Sequence, residues 1–261
     1  MQNFGPVGVE AHGHVYTVEV QRPPYNFFHP SLVPALADAF EYLDQVDDCR
    51  VLVLCAQGKA FSAGADFQST SGDALFAGGE EGGADQLYSN AVRLFRTRKP
   101  VVVAVQGAAI GGGMGLALIG DFRVGCATTR FATNFVQLGL HAGFGISHTL
   151  VRIIGQQKAS LMLYTGRRVG PEDALAWGLL DVVTEPENLR AGAIALAREI
   201  AEAAPLAVES TRATLRGDIA EAVEQQLQRE YAEQMRLSQT QDHREGVKAV
   251  MERRKGRFTR S

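Results

Sequence analysis

The sequence predicts an α/β fold built on a buried, largely parallel sheet, and three observations carry that prediction. CRVLVLCA at 49–56 and VVVAVQG at 101–107 are continuously apolar runs of strand length, the pattern of strands covered on both faces. The second run passes through a glycine-rich turn and a short helix into another strand, DFRVGCA at 121–127, so strands alternate with helical segments. A hydrophobic fraction of 46% over 261 residues supplies ample material for one sizeable core.

The elements follow in order. HVYTVEV at 14–20 alternates as a first strand should, and Pro23 and Pro24 end it because neither can donate to a ladder. A helix is expected from Ser31 as N-cap, with Leu32, Leu36, Ala39, Phe40 and Leu43 at helical spacing. Beyond the strand at 49–56, the stretch STSGDALFAGGEEGGA at 69–84 has little periodicity and reads as a mobile loop, a lid being the sharper alternative. Helical spacing resumes over 85–98 through Leu87, Val92 and Phe95, and Pro100 stops it. Downstream, PEDALAWG at 171–178 starts on proline and closes on glycine, as a short helix does. The remainder reads helical, and Ile219, Val223, Leu227, Tyr231 and Met235 form a stripe that must bury itself against the core or another subunit. No linker divides the chain, so the expectation is a core over residues 1–200 with a helical appendage over 201–261.

Composition excludes several classes of function. A formal charge of -3 leaves no basic stripe for nucleic acid, and RRKGR near the C-terminus reads as an exposed tail. Cys49, Cys55 and Cys126 lack metal-ligand spacing and are expected to be buried thiols in a reducing compartment. No basic region precedes an apolar one at the N-terminus, and no apolar run approaches the roughly 18 residues of a membrane span. The expectation is therefore a soluble, cytoplasmic protein without nucleic-acid or membrane partners.

The chemistry is expected in two turns, KAFSAGADF at 59–67 and IGGGMG at 110–115, each at the carboxyl end of a buried strand where open α/β sheets bind ligands. Glycine costs a helix interior about 1 kcal/mol relative to alanine, so four glycines in five positions imply a backbone that something approaches closely. The approaching group is either the sheet itself or a ligand oxygen held by bare N–H groups. A phosphate is a weaker fit, since neither GxxxxGK[ST] nor the GxGxxG spacing with its acidic partner is present.

KAFSAGAD and AAIGGGMGLAL, with RPPYN before them and LIGDFRVG and YTGRRVGPEDALAWGLLDVV after, resemble the crotonase superfamily, the enoyl-CoA hydratase/isomerase family, in order along nearly the whole chain. The resemblance implies an α/β spiral of strand-strand-helix repeats with a C-terminal helical trimerisation region, assembled as a homotrimer or hexamer. It implies an acyl-CoA thioester substrate, coenzyme A entering as part of the substrate with no separate cofactor and no metal. On matching positions, Ala65 and Gly112 would hold the thioester oxygen by their N–H groups and stabilise an enolate-like transition state. The coenzyme A moiety would lie beside Arg22, Lys59, Ala60 and Phe61, with Lys255, Phe258 and Arg254 from the C-terminal region.

The sequence departs from that family where hydratases carry two glutamates, which are here Gly115 and Phe135, and Gly143 stands where dehalogenases carry an aspartate nucleophile. His141 in LGLHAGFG is then the nearest candidate acid or base, its alternative being a hydrogen bond to its own loop. Asp66 is expected to pin its own turn, His148 to be structural, His29 to be a turn residue and Glu80 and Glu81 to be solvated, while Tyr88 and Asn134 are weaker candidates. Phe135 and Phe144 suggest a pocket for a bulky or aromatic acyl group. Three readings stay open: an enolate-stabilising acyl-CoA enzyme, a non-catalytic CoA-thioester binding protein, and a C–C bond or thioester hydrolase that uses His141.

Overall fold

The computed structural model describes residues 2–66 and 84–261, with the side chains of 84–86 left undescribed. The expected loop over 69–84, including Glu80 and Glu81, therefore lies almost wholly outside the described residues. Parallel strands β3 (Val15–Val20), β4 (Val51–Ala56), β5 (Val101–Val105), β7 (Phe122–Cys126) and β10 (Val182–Thr184) form the heart of a sheet ordered β1-β2-β3-β4-β5-β7-β10. Its edge is an antiparallel meander of β1 (Gln2–Phe4) and β2 (Val7–His12) on β3, which the sequence reading left unassigned. Along β4 the side chains split between two cores: Leu52 and Leu54 face one, Val51, Val53 and Cys55 the other. Both faces are dry, which is why the run carries no polar residue.

The first core packs the sheet under helices α1 (Leu32–Asp44) and α2 (Ala84–Phe95), and the second under α6 (Leu189–Ala201) through Leu189, Ala193 and Ala197. Ser31 precedes α1 but gives no side-chain cap; its hydroxyl pairs with His29 Nδ1 at 2.8 Å instead. Between β5 and α6 run α3 (Gly112–Leu118), α4 (Ile146–Thr165) and α5 (Pro171–Ala176). A second, three-stranded sheet joins β6 (Ala108–Ile110), β8 (Arg130–Ala132) and β9 (Arg168–Val169). These strands are too short to leave a periodicity in the sequence, yet β6 sets the second glycine turn in place.

Helices α7 (Pro205–Arg216), α8 (Ile219–Ser238) and α9 (Gln241–Met251) complete the chain. The stripe on α8 is covered by its own chain: Ile219, Val223 and Leu227 are buried in the first core and Tyr231 packs edge-on to Tyr88. That stripe therefore does not itself call for a second subunit. All three cysteines are buried and free. No helix among the described residues is long and apolar enough to cross a membrane.

Candidate active site

The two turns are stitched together by main-chain bonds. Ser62 N donates to Ala108 O at 2.9 Å and Ile110 N to Ser62 O at 3.0 Å, so the first turn runs as an extra rung beside β6. Gly113 is glycine because a Cβ there would lie 2.4 Å from Ser62 O. Asn26 clamps the first turn from the other side, a role the sequence reading did not give it within RPPYN. Fully buried, it donates from Nδ2 to Gln57 O at 2.6 Å and Ala60 O at 2.7 Å, while its Oδ1 accepts from Arg22 N at 3.0 Å. Phe28 N closes the clamp on Gly64 O at 2.8 Å. A buried asparagine inside a proline-rich break was the available signal, because its amide must find partners.

The consequence is one cavity of about 70 Å³ bordered by both turns. Ala65 and Gly112 line it, and neither N–H has an acceptor among the described residues. Such N–H groups can donate to a ligand oxygen at no cost to the fold. The rest of the wall is mainly aromatic and aliphatic, with Phe28, Phe135, Phe144, Leu138 and Leu140 prominent. Asn134, Tyr88 and Gln234 are its polar members, and among the described residues no carboxylate lines it. The two positions that would carry glutamates are filled from within: Phe135 is itself in the wall, and the ring of Phe144 lies against Gly115.

His141 does not line this cavity among the described residues. Its Nδ1 donates to Ala142 O at 2.7 Å, and its ring lies within electrostatic reach of Glu230 and Glu233 of α8. Glu230, which the sequence reading passed over, is completely buried and accepts from Gly145 N at 2.7 Å and Ser147 N at 3.0 Å, tying α8 to the start of α4. Burial pushes its carboxyl up, against the opposing pull of the Ser147 and Gly145 donors. His148 is half-buried on α4, and His29, lowered by burial and by Arg22, is a turn residue.

Of the residues expected at coenzyme A, Arg22 and Lys59 flank the clamped segment, with Lys59 exposed and Arg22 Nε buried with no partner among the described residues. Ala60 is buried and its N–H lies 3.3 Å from Pro24 O. Phe61 is a core side chain, 1% exposed, so its ring is not available to a ligand. Lys255 and Phe258 stand exposed on the tail after α9, where Arg254 is bonded to Glu245 and Glu252. No cluster of metal-ligating groups occurs among the described residues.

The two stitched turns thus border one mainly apolar cavity, with Ala65 and Gly112, whose N–H groups have no acceptor among the described residues, in its wall. The sequence profile of enoyl-CoA hydratase/isomerase matches residues 10–261. The chain is 33% identical over 255 residues to mevalonyl-coenzyme A hydratase of Beauveria bassiana, covering 93% of this chain and 90% of that protein. It is 29% identical to 1,2-epoxyphenylacetyl-CoA isomerase of Escherichia coli, covering 94% and 95% of the two chains. The enoyl-CoA hydratase/isomerase structure from Pseudoalteromonas atlantica superposes with a TM-score of 0.87 at 29% identity, covering 98% of this chain and all of that one. The chain belongs to the enoyl-CoA hydratase/isomerase family and has the crotonase fold.

Proposed function

We propose that this acyl-CoA enzyme holds its substrate's thioester oxygen between Ala65 N–H and Gly112 N–H and stabilises an enolate there. One observation carries the reading: Ala65 and Gly112, whose N–H groups have no acceptor among the described residues, line the same mainly apolar cavity. Backbone donors fixed by the fold need no reorganisation as charge develops, and removing one such donor costs about 10²–10³ in rate. The thioester substrates named for the two relatives support the same class here. The aromatic wall in place of two glutamates favours a reaction other than carboxylate-catalysed hydration. Arg22, Lys59 and the main chain at Ala60 would take the coenzyme A moiety, with Lys255 and Phe258 able to add charge and stacking from the tail. Exposed Leu206 and Leu215 on α7 suit a homotrimeric contact, and the buried free thiols suit the cytoplasm.

The lack of a carboxylate in the described cavity wall favours one other reading, a CoA-thioester binding protein without turnover. Incubating the protein with straight-chain, branched and aromatic enoyl- and acyl-CoA thioesters in D2O, with mass spectrometry of the product, separates the two. Exchange alpha to the carbonyl or conversion of the acyl group, lost in Ala65→Pro, supports the enzyme. Binding with neither exchange nor conversion supports the binder.

A further inference from the structure

We infer that the wall of the acyl cavity includes a built recognition site for a hydroxyl group on the acyl chain, formed by Tyr88 Oη and Gln234 Nε2. This rests on the acyl-CoA reading above. Both side chains line the cavity and are almost fully buried, at 8% and 2% exposure, although they come from different helices, α2 and α8. Tyr88 Oη donates to Gln234 Oε1, and Gln234 Nε2 donates to His141 O at 3.0 Å. Each residue therefore keeps one unused function: the tyrosine oxygen can still accept, and the second amide hydrogen can still donate.

One free acceptor beside one free donor is the complement of a hydroxyl, which also does both. A carboxylate or a ketone would use only the amide hydrogen, and an ammonium only the tyrosine oxygen. Burying a phenol and a carboxamide against Leu87, Leu140 and Phe144 is costly unless their hydrogen bonds are completed. Backbone packing keeps the pair fixed. A Cβ at Gly143 would lie 2.5 Å from Tyr88 Oη and 2.6 Å from Gln234 Nε2, so the loop from His141 presses directly on both atoms. The Tyr88 ring is held edge-on against Tyr231 at 6.0 Å. Burial and the nearby Glu230 also push the phenol up, which keeps it protonated as a hydrogen-bonding group and unsuited to act as a base.

The test is the dissociation constant of the full-length protein for hexanoyl-CoA and for its singly hydroxylated isomers, with the hydroxyl moved along the chain. One isomer should bind about tenfold tighter than hexanoyl-CoA, the value of a well-placed hydrogen bond. Tyr88→Phe and Gln234→Met should each bring the ratio of the preferred isomer's affinity to that of hexanoyl-CoA down to about one; if one variant fails to fold, the other carries the comparison. The inference is overturned if wild type prefers no isomer, or if the variants weaken every thioester alike, which would make the pair a strut between helices. Failure of hexanoyl-CoA and all its isomers to bind would remove the acyl-CoA reading and this inference with it.

Discussion

The ring of Phe144 occupies the space that a side chain at Gly115 would need: a Cβ on Gly115 would lie 2.5 Å from Phe144 Cδ1 and 2.7 Å from Cγ. Phe144 holds this place at a positive φ of 63°, unusual outside glycine, and stacks edge-on against Phe28 at 5.8 Å. The missing glutamate is thus compensated by packing, and the two positions have become one steric unit.

Coupled positions should be non-additive. Gly115→Ala should cost about 1–3 kcal/mol by overpacking, and Phe144→Ala about 3–5 kcal/mol by leaving a cavity. The double variant should be at least ~1 kcal/mol more stable than the sum of the two losses. Thermal or denaturant unfolding of the four proteins measures this directly. Strict additivity would show that the ring does not depend on the glycine.

Asp121 offers a second prediction, on stability alone. It accepts from Arg212 Nε at 2.8 Å, Arg216 Nη1 at 2.9 Å and Val101 N at 2.8 Å, all in a largely buried cluster. Burial alone would push its carboxyl up, but the two guanidinium groups overcome that and hold it below the ordinary range. A depressed carboxyl contributes stability above the unfolded value of about 3.9 and loses it as pH falls through the lower folded value. Asp121→Asn leaves two buried cations uncompensated and should cost about 3–5 kcal/mol at neutral pH. In melting experiments the gap between wild type and variant should be widest near pH 7 and close below about pH 4; a gap independent of pH would contradict the ion-pair account.

How far the site was legible follows from where its signals sit in the chain. The both-face burial of β4 and β5 leaves an unbroken apolar run, and the two turns carry glycines that their neighbours enforce, so the sheet and the turns could be read directly. The three-residue strand β6 could not, because its order comes from pairing with β8, about twenty residues on. Tyr88 and Gln234 each look ordinary on an amphipathic helix; only the packing of α2 on α8 turns them into a pair. The stripe on α8 was read correctly as a buried face, but periodicity cannot say which surface covers it. His141 lay between two informative positions, and adjacency along a loop does not fix which way a ring points.

The thiols give a third prediction. Burial pushes the Cys49 and Cys55 thiols up to about 12, so at pH 8 only ~10⁻⁴ of either is thiolate. Cys126, also buried, has its sulfur 3.2 Å from the Thr128 hydroxyl. Ellman's reagent at pH 8 should therefore find none of the three thiols in the folded protein and all of them in guanidinium. Rapid labelling of a native thiol would mean that the sheet opens locally.

His141 supplies the last prediction, and it bears on mechanism. Its Nδ1 is bonded to Ala142 O, its carbonyl accepts from Gln234, and its ring is felt by the α8 carboxylates while the described cavity wall does not include it. Truncating the ring leaves the His141 carbonyl, and with it the anchor of Gln234, in place. His141→Ala should accordingly keep thioester affinity and any exchange or turnover within about threefold of wild type, since general acid–base groups contribute far more, about 10²–10⁴. A loss in that larger range with unchanged affinity and melting temperature would instead put the imidazole at the reacting carbon and restore the hydrolase reading.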